Sequence, residues 1–203
     1  AEDGIRDDLV TGVQTCALPI CAADAVVPDI ITIAKGLGAG YQPIGAMLCQ
    51  DFIHDTIAAG SGFFQHGHTY LGHPIACAGA LAVLKRLIDD GLADAVSEKG
   101  TILRAKLEAV FGQHPNIGDI RGRGLFLGLE LVEDRQSKKP FDPALNIAGN
   151  IKKQAMLAGL MVYPAQGTID GRHGDHVLIA PPFIIAENEM DLLVERQIGR
   201  AHV

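Results

Sequence analysis

Short apolar runs alternate with amphipathic stretches along most of the chain, and this alternation predicts an α/β protein. The run 30–34 is β-branched and follows Pro28, which is typical of a fully buried strand in a parallel sheet. The other predicted strands are 44–49, 125–132, 161–163 and 177–180.

Helices are predicted where apolar residues recur at helical spacing between start and stop signals. One begins at Pro74, continues through Leu87 and ends before Gly91, and it follows a loop from Gly60 to Pro74 rich in glycine and histidine. A second covers 93–111, and its apolar stripe comprises Ile102, Leu103, Leu107, Val110 and Phe111. Further helices are expected at 147–160 and from near Glu187. The pattern changes near residues 100–116, which predicts two α/β regions, 21–112 and 113–197.

The two ends of the chain differ from the rest. Residues 1–20 have early acidic residues, no initiator Met and no apolar segment after a basic start, so they do not form a signal peptide. Their sequence is identical to an in-frame translation of a sequencing adapter, in which the index codes for Asp8 and Leu9. The sequence of residues 198–203 is identical to an in-frame translation of the opposite adapter. We therefore expect 1–20 and 198–203 to be non-native, adapter-derived tracts around a fragment of a longer protein.

Composition excludes several classes of function. Hydrophobic residues make up 48% of the 203 residues and charged residues 20%, which excludes a disordered or fibrous protein. The formal net charge of −7, without a Lys/Arg-rich run, argues against nucleic-acid binding and favours small molecules or a second subunit as partners. The longest apolar stretch, 75–84, is far shorter than the roughly 20 residues of a membrane span. The four cysteines are expected to be free thiols, and the protein is expected to be cytoplasmic. They are Cys16, Cys21, Cys49 and Cys77.

Lys35, at the predicted end of the first strand, is the main candidate for chemistry. Burial there would depress the pKa of its amine and make it a nucleophile, and the glycines at 36–40 would let a flat ligand approach the backbone. The alternative is a lysine whose amine reaches solvent from the strand end. The glycines do not form a dinucleotide fingerprint, because Pro43 lies where its helix would begin, nor a Walker loop, whose glycines precede the lysine.

The segment 28–46, PDIITIAKGLGAGYQPIGA, resembles the lysine segment of class III (omega) aminotransferases. The resemblance implies a fold-type I α/β transferase that depends on pyridoxal 5'-phosphate, in which Lys35 forms the Schiff base and shuttles the substrate proton. It also implies an amine or ω-amino acid as donor and a 2-oxo acid as acceptor. A racemase or aminomutase of the same family, or a non-catalytic α/β binding domain, remains an alternative.

The loop 65–74, QHGHTYLGHP, is similar to the family's loop that reaches across the homodimer. The resemblance implies that the Thr69 hydroxyl and the His68 and Thr69 amides contact the cofactor phosphate of the neighbouring subunit. His66, His68 and His73 could also suggest zinc, but their spacing does not favour a metal frame over a loop, and no metal is expected.

Two later segments resemble the first and last strands of the family's C-terminal small domain. These are 121–130 and 178–183, and Arg172 is the nearest candidate for the family's substrate-carboxylate arginine, although a solvated turn arginine is the alternative. By the resemblance, 21–112 is part of the cofactor-binding large domain and 113–197 is the small domain. The segments of the family's N-terminal half that hold the cofactor ring and phosphate are not in this sequence, so the 203-residue chain is expected to be inactive.

Overall fold

The computed structural model describes residues 25–198, which form two compact units that divide between Ala93 and Asp94. Residues 1–24 and 199–203 lie outside the described residues. They include the predicted tract 1–20 and the cysteines Cys16 and Cys21. The division falls nearer to the N-terminus than the predicted boundary between 112 and 113. The reason is that the helix ending at Phe111 contributes its apolar side chains to the core of the second unit.

In the first unit, strands β1 (Ile30–Ile33) and β2 (Ala46–Cys49) pair antiparallel, with Ile30 opposite Cys49. The prediction of a fully buried strand in a parallel sheet is therefore wrong. A parallel pair needs a crossover connection, usually a helix, but the link 34–45 is a glycine-rich turn followed by Pro43, which reverses the chain. Residues of β1 alternate between exposed and half-buried, and Ile30 is 47% exposed.

Helices α1 (Asp51–Ala59) and α2 (Pro74–Asp89) complete the described elements of the first unit. The prediction of a helix starting at Pro74 is confirmed; His73 accepts the Ala76 amide at 3.4 Å as its N-cap. Helix α1 was not predicted, and it contains no buried residue. Its nine residues form too short a pattern to distinguish from a loop, and its N-cap residue, Gln50, is not one of the usual capping residues.

The described strands of the second unit are β3 (Ile117–Arg123), β4 (Phe126–Leu131), β5 (Tyr163–Gln166) and β6 (Asp175–Ile179), and its described helices are α3 (Leu92–Phe111), α4 (Ile147–Leu157) and α5 (Glu187–Ile198). The strands form an antiparallel sheet in the order β3-β4-β6-β5. The helices were predicted to within a few residues. Strand β3 was not, because its sequence IGDIRGR lacks a continuous apolar alternation, and β5 begins two positions after the predicted 161.

The core of the second unit lies between one face of the sheet and its helices. Leu127, Leu129 and Leu131 alternate inward along β4, and each is at most 5% exposed. Helix α3 presents Leu103 and Leu107, both fully buried, whereas Val110 of the predicted stripe is 36% exposed. Within residues 25–198, no helix has the length and apolar character needed to cross a membrane.

Candidate functional site

The backbone at Lys35 adopts a conformation that non-glycine residues rarely accept. Ala34 is extended, and Lys35 then has a φ of 44°, in the left-handed region. Residues Lys35–Gly38 form one 3-10 turn, in which the Leu37 amide donates to the Ala34 carbonyl at 2.9 Å. A lysine in this region costs about 1–3 kcal/mol, and backbone strain of this kind concentrates at functional sites.

The Lys35 side chain is exposed, so the prediction of a lysine desolvated at a strand end is wrong for this structure. Strand β1 has one described neighbour, β2, and such a two-stranded sheet cannot bury the residue that follows it. Among the described residues nothing accepts a hydrogen bond from the Lys35 amine. The amine is therefore available to react with, or donate to, a ligand.

Small residues on α2 allow that helix to pack against the lysine turn. Ala76 and Ala80 are buried, and a Cβ added at Gly79 between them would lie 2.8 Å from Cγ of Gln42. Gly45 has a similar role beside the strand, where an added Cβ would lie 3.3 Å from the Ile33 carbonyl oxygen. The turn that contains Lys35 therefore packs closely against α2, and there is little room for a side chain at Gly79 or Gly45. Gly79 and Gln42 were not singled out from the sequence, because the contact between them is tertiary.

The loop between α1 and α2 is exposed throughout, including His68 and Thr69. The rings of His66 and His68 lie edge to face, with centroids 5.2 Å apart, and the Leu71 amide donates to the His68 carbonyl at 3.0 Å. In the described part of the chain, the amides of His68 and Thr69 and the Thr69 hydroxyl have no hydrogen-bond partner. No group of three or more His, Cys, Asp or Glu side chains among residues 25–198 is placed to hold a metal ion.

Arg172 lies at the exposed tip of the turn between β5 and β6, in the second unit. Asp170 organises this turn: its Oδ1 accepts the amides of His173 at 2.7 Å and Arg172 at 2.9 Å. Its Oδ2 lies 2.7 Å from the His173 ring. The His173 amide and ring, with the Arg172 amide, hold the pKa of Asp170 far below its usual value. These hydrogen bonds therefore fix the backbone of the turn at Arg172.

A buried carboxylate in the second unit was not predicted. Asp175 is 1% exposed; its Oδ1 accepts the Ala148 amide at the start of α4 at 3.3 Å, and its Oδ2 has no partner among the described residues. Burial raises the pKa of Asp175, although the Ala148 amide opposes this. Burial, together with the Arg121 cation, lowers the pKa of the adjacent His176. An aspartate directly before an apolar run resembles a loop residue, so the sequence gives no signal of this burial.

Comparison with known proteins gives consistent results. Residues 5–199 match the class-III aminotransferase family. The chain is 45% identical to an uncharacterized aminotransferase of Schizosaccharomyces pombe over 194 residues, which are 93% of this chain and 41% of the relative. The chain thus spans about two fifths of the length of the curated relatives it matches.

Solved structures show the same likeness. One is an amine transaminase from an uncultivated Pseudomonas species in the pyridoxal-phosphate-bound form, at a TM-score of 0.82 and 35% identity. The match covers 96% of this chain and 43% of that protein. Another is an (S)-enantioselective omega-transaminase from Thermomicrobium roseum, at a TM-score of 0.80 and 33% identity, covering 89% and 38% of the two chains.

Proposed function

Because the chain belongs to the class-III aminotransferase family, whose fold is that of fold-type I transferases, we propose that it is part of an aminotransferase. The enzyme moves an amino group between an amine or ω-amino acid and a 2-oxo acid. The observation that supports this most directly is Lys35: an exposed amine, free among the described residues, on a strained turn held by α2. Pyridoxal phosphate, when bound, supplies an aldehyde and an electron-withdrawing ring that stabilises negative charge on the substrate carbon.

The residues of the first unit fit this cofactor in their chemistry. A primary amine without a hydrogen-bond partner can condense with an aldehyde and release water, so Lys35 would hold the cofactor through Nζ. Nζ of Lys35, when it is not attached to the cofactor, would be the base that takes the proton from the substrate carbon, and it would deliver that proton to the cofactor carbon, as transamination requires. The positive φ of Lys35 fixes the direction in which its side chain leaves the backbone, and proton transfer needs an amine in a defined position.

The loop before α2 fits a phosphate. His68 and Thr69 offer two amide N–H groups, and Thr69 adds a hydroxyl, all without partners in the described chain. We assign these groups to the phosphate of the cofactor bound by the neighbouring subunit, which requires a homodimer. Exposure of the whole loop supports a role at a surface that a second subunit covers.

Arg172 is assigned to the substrate carboxylate, because guanidinium groups bind carboxylates in a bidentate manner and Asp170 fixes its turn. The first unit is proposed to be part of the cofactor-binding domain and the second to be the small domain. The free, exposed thiols of Cys49 and Cys77 support a reducing, cytoplasmic location.

The proposal is tested in the full-length protein that contains these residues. Lys35→Ala is expected to lower amine-to-2-oxo-acid turnover by about a thousandfold or more, since it removes both the attachment point and the base. Lys85→Ala is the matched control, because Lys85 is an exposed lysine of the same unit, on α2. Equal turnover of the two variants would contradict the proposal.

A further inference from the structure

Strand β3 lies at one end of the four-stranded sheet, so one of its edges has no strand partner among residues 25–198. A free edge of this kind is a template on which another chain can add a strand. The sequence of β3 increases that risk, because Gly118 and Gly122 have no side chain that could shield the backbone. The opposite edge strand, β5, contains Pro164, which lacks the N–H donor that strand addition needs.

Side chains from outside the strand occupy the exposed backbone groups of β3. The Arg104 guanidinium donates to the carbonyl of Ile120 at 2.8 Å through Nη1 and to that of Gly122 at 2.9 Å through Nη2. Lys138 donates through Nζ to the carbonyl of Gly118. Ile120 and Gly122 are alternate residues of the regular part of the strand, so their backbone groups point to the same edge, whereas Gly118 lies at a register shift between Ile117 and Asp119. Oδ1 of Asp119 accepts the Ile120 amide at 2.8 Å, so both polar backbone groups of Ile120 are satisfied.

The two cations are held in place by their own surroundings. Arg104 projects from α3, and its Nη1 lies 3.6 Å from Oε1 of Glu108, one turn further along the helix. Lys138 has a φ of 57°, in a tight turn where the Ser137 amide and hydroxyl donate to Oδ1 of Asp134 at 2.8 and 2.6 Å. The strained backbone conformation of the turn is therefore at Lys138, the residue whose side chain reaches β3.

We propose that Arg104, Asp119 and Lys138 form an edge block, a set of side chains that keeps a second copy of this chain from adding a strand to β3. A single guanidinium that satisfies two alternate carbonyls removes two of the acceptors that an incoming strand would use. The added charge also opposes the approach of another backbone edge. The two edges of the sheet are therefore protected differently, β3 by side chains and β5 by proline.

The test replaces both cations while keeping their apolar stems, in the variant Arg104→Met with Lys138→Met. The matched control is Lys99→Met with Lys139→Met, which also removes one cation from α3 and one from the same turn. Lys99 donates to the Phe183 carbonyl at 2.7 Å and Lys139 pairs with Glu133 at 2.7 Å, so the control also loses polar bonds, but none on β3. Sedimentation velocity and the infrared signal of intermolecular β-structure are measured over a concentration series of the full 203-residue chain and both variants.

The edge block predicts that the R104M/K138M variant assembles, with intermolecular β-structure, at a concentration lower by about tenfold or more than the control requires. The unsubstituted chain and the control should behave alike. Equal assembly of both variants, or no change in either, would overturn the proposal. If the double variant does not fold, R104M and K138M measured singly replace it, each with a smaller shift expected in the same direction and no shift contradicting the block.

Discussion

Helix α3 contains a glycine at its centre, Gly100, and the structure gives a reason that can be tested by the sign of one substitution. A Cβ built on Gly100 would lie 2.3 Å from the carbonyl carbon and oxygen of Gly124, in the turn between β3 and β4. Gly124 has a φ of 51°, so this turn cannot move freely to make room. The helix and the turn approach so closely because neither residue has a side chain.

Two opposing effects determine the stability of Gly100→Ala. Alanine is favoured over glycine within a helix by about 0.8–1.0 kcal/mol, so without the contact the substitution would stabilise the protein. Carbon atoms in contact lie about 3.5–4.0 Å apart, so the helix and turn must separate by roughly 1 Å or more. Overpacking of this kind costs about 1–3 kcal/mol, and a backbone neighbour places the cost at the upper end. The expected net result is a loss of about 1–2 kcal/mol.

The assay is urea unfolding of the 203-residue chain followed by circular dichroism, with the midpoint and slope fitted separately. Ser97→Ala, at an exposed position of the same helix, is the control; it gains helix propensity without meeting the turn and should not lower the midpoint. A higher midpoint for Gly100→Ala at an unchanged slope would refute the close approach of Gly100 and Gly124.

Three further predictions concern the core, the buried carboxylate and the phosphate loop. Leu107→Ala, which empties a fully buried site, should lower the free energy of unfolding by about 2–5 kcal/mol in the same urea assay. The pKa of Asp175 is raised in the folded state above 3.8, so the folded chain binds this proton more tightly than the unfolded chain, and the stability of the fold falls as pH rises through the raised pKa. Asp175→Asn should remove this fall in stability. The variant should be more stable than the parent by about 1–3 kcal/mol near neutral pH but not near pH 4, in urea unfolding measured at both pH values. Thr69→Ala in the full-length protein should weaken pyridoxal phosphate binding about tenfold, measured by equilibrium titration, while Thr56→Ala, which changes a hydroxyl on α1, should leave it unchanged.

The helices and the central strand of the second unit could be predicted from sequence because burial of one face imposes a period on the residues. Leu103 and Leu107 of α3, and Leu127 to Leu131 of β4, follow that rule. Strand β3 did not follow it, because its two glycines and its charged residues are selected for edge contacts and turns rather than for the core.

The assignment of Lys35 rests on the segment around it and stays a prediction, and the conformation of Lys35 could not be predicted. Its positive φ lies in a turn that packs against α2, and such tertiary packing is not visible in the local sequence. The expected burial of Lys35 failed because burial depends on the strands beside β1, which local sequence does not report. The burial of Asp175 could not be predicted for the same reason, because its environment is formed by the start of α4, which is distant in sequence.

The assignment of Lys35 as the residue that carries the cofactor is tested most directly by trapping and mapping. Full-length protein loaded with pyridoxal phosphate is reduced with borohydride, digested, and sequenced by tandem mass spectrometry. The predicted result is a pyridoxyl group on Nζ of Lys35, absent when the same treatment is applied to Lys35→Ala. A stoichiometric adduct on another lysine such as Lys85, or active enzyme with no adduct on Lys35, would contradict the assignment.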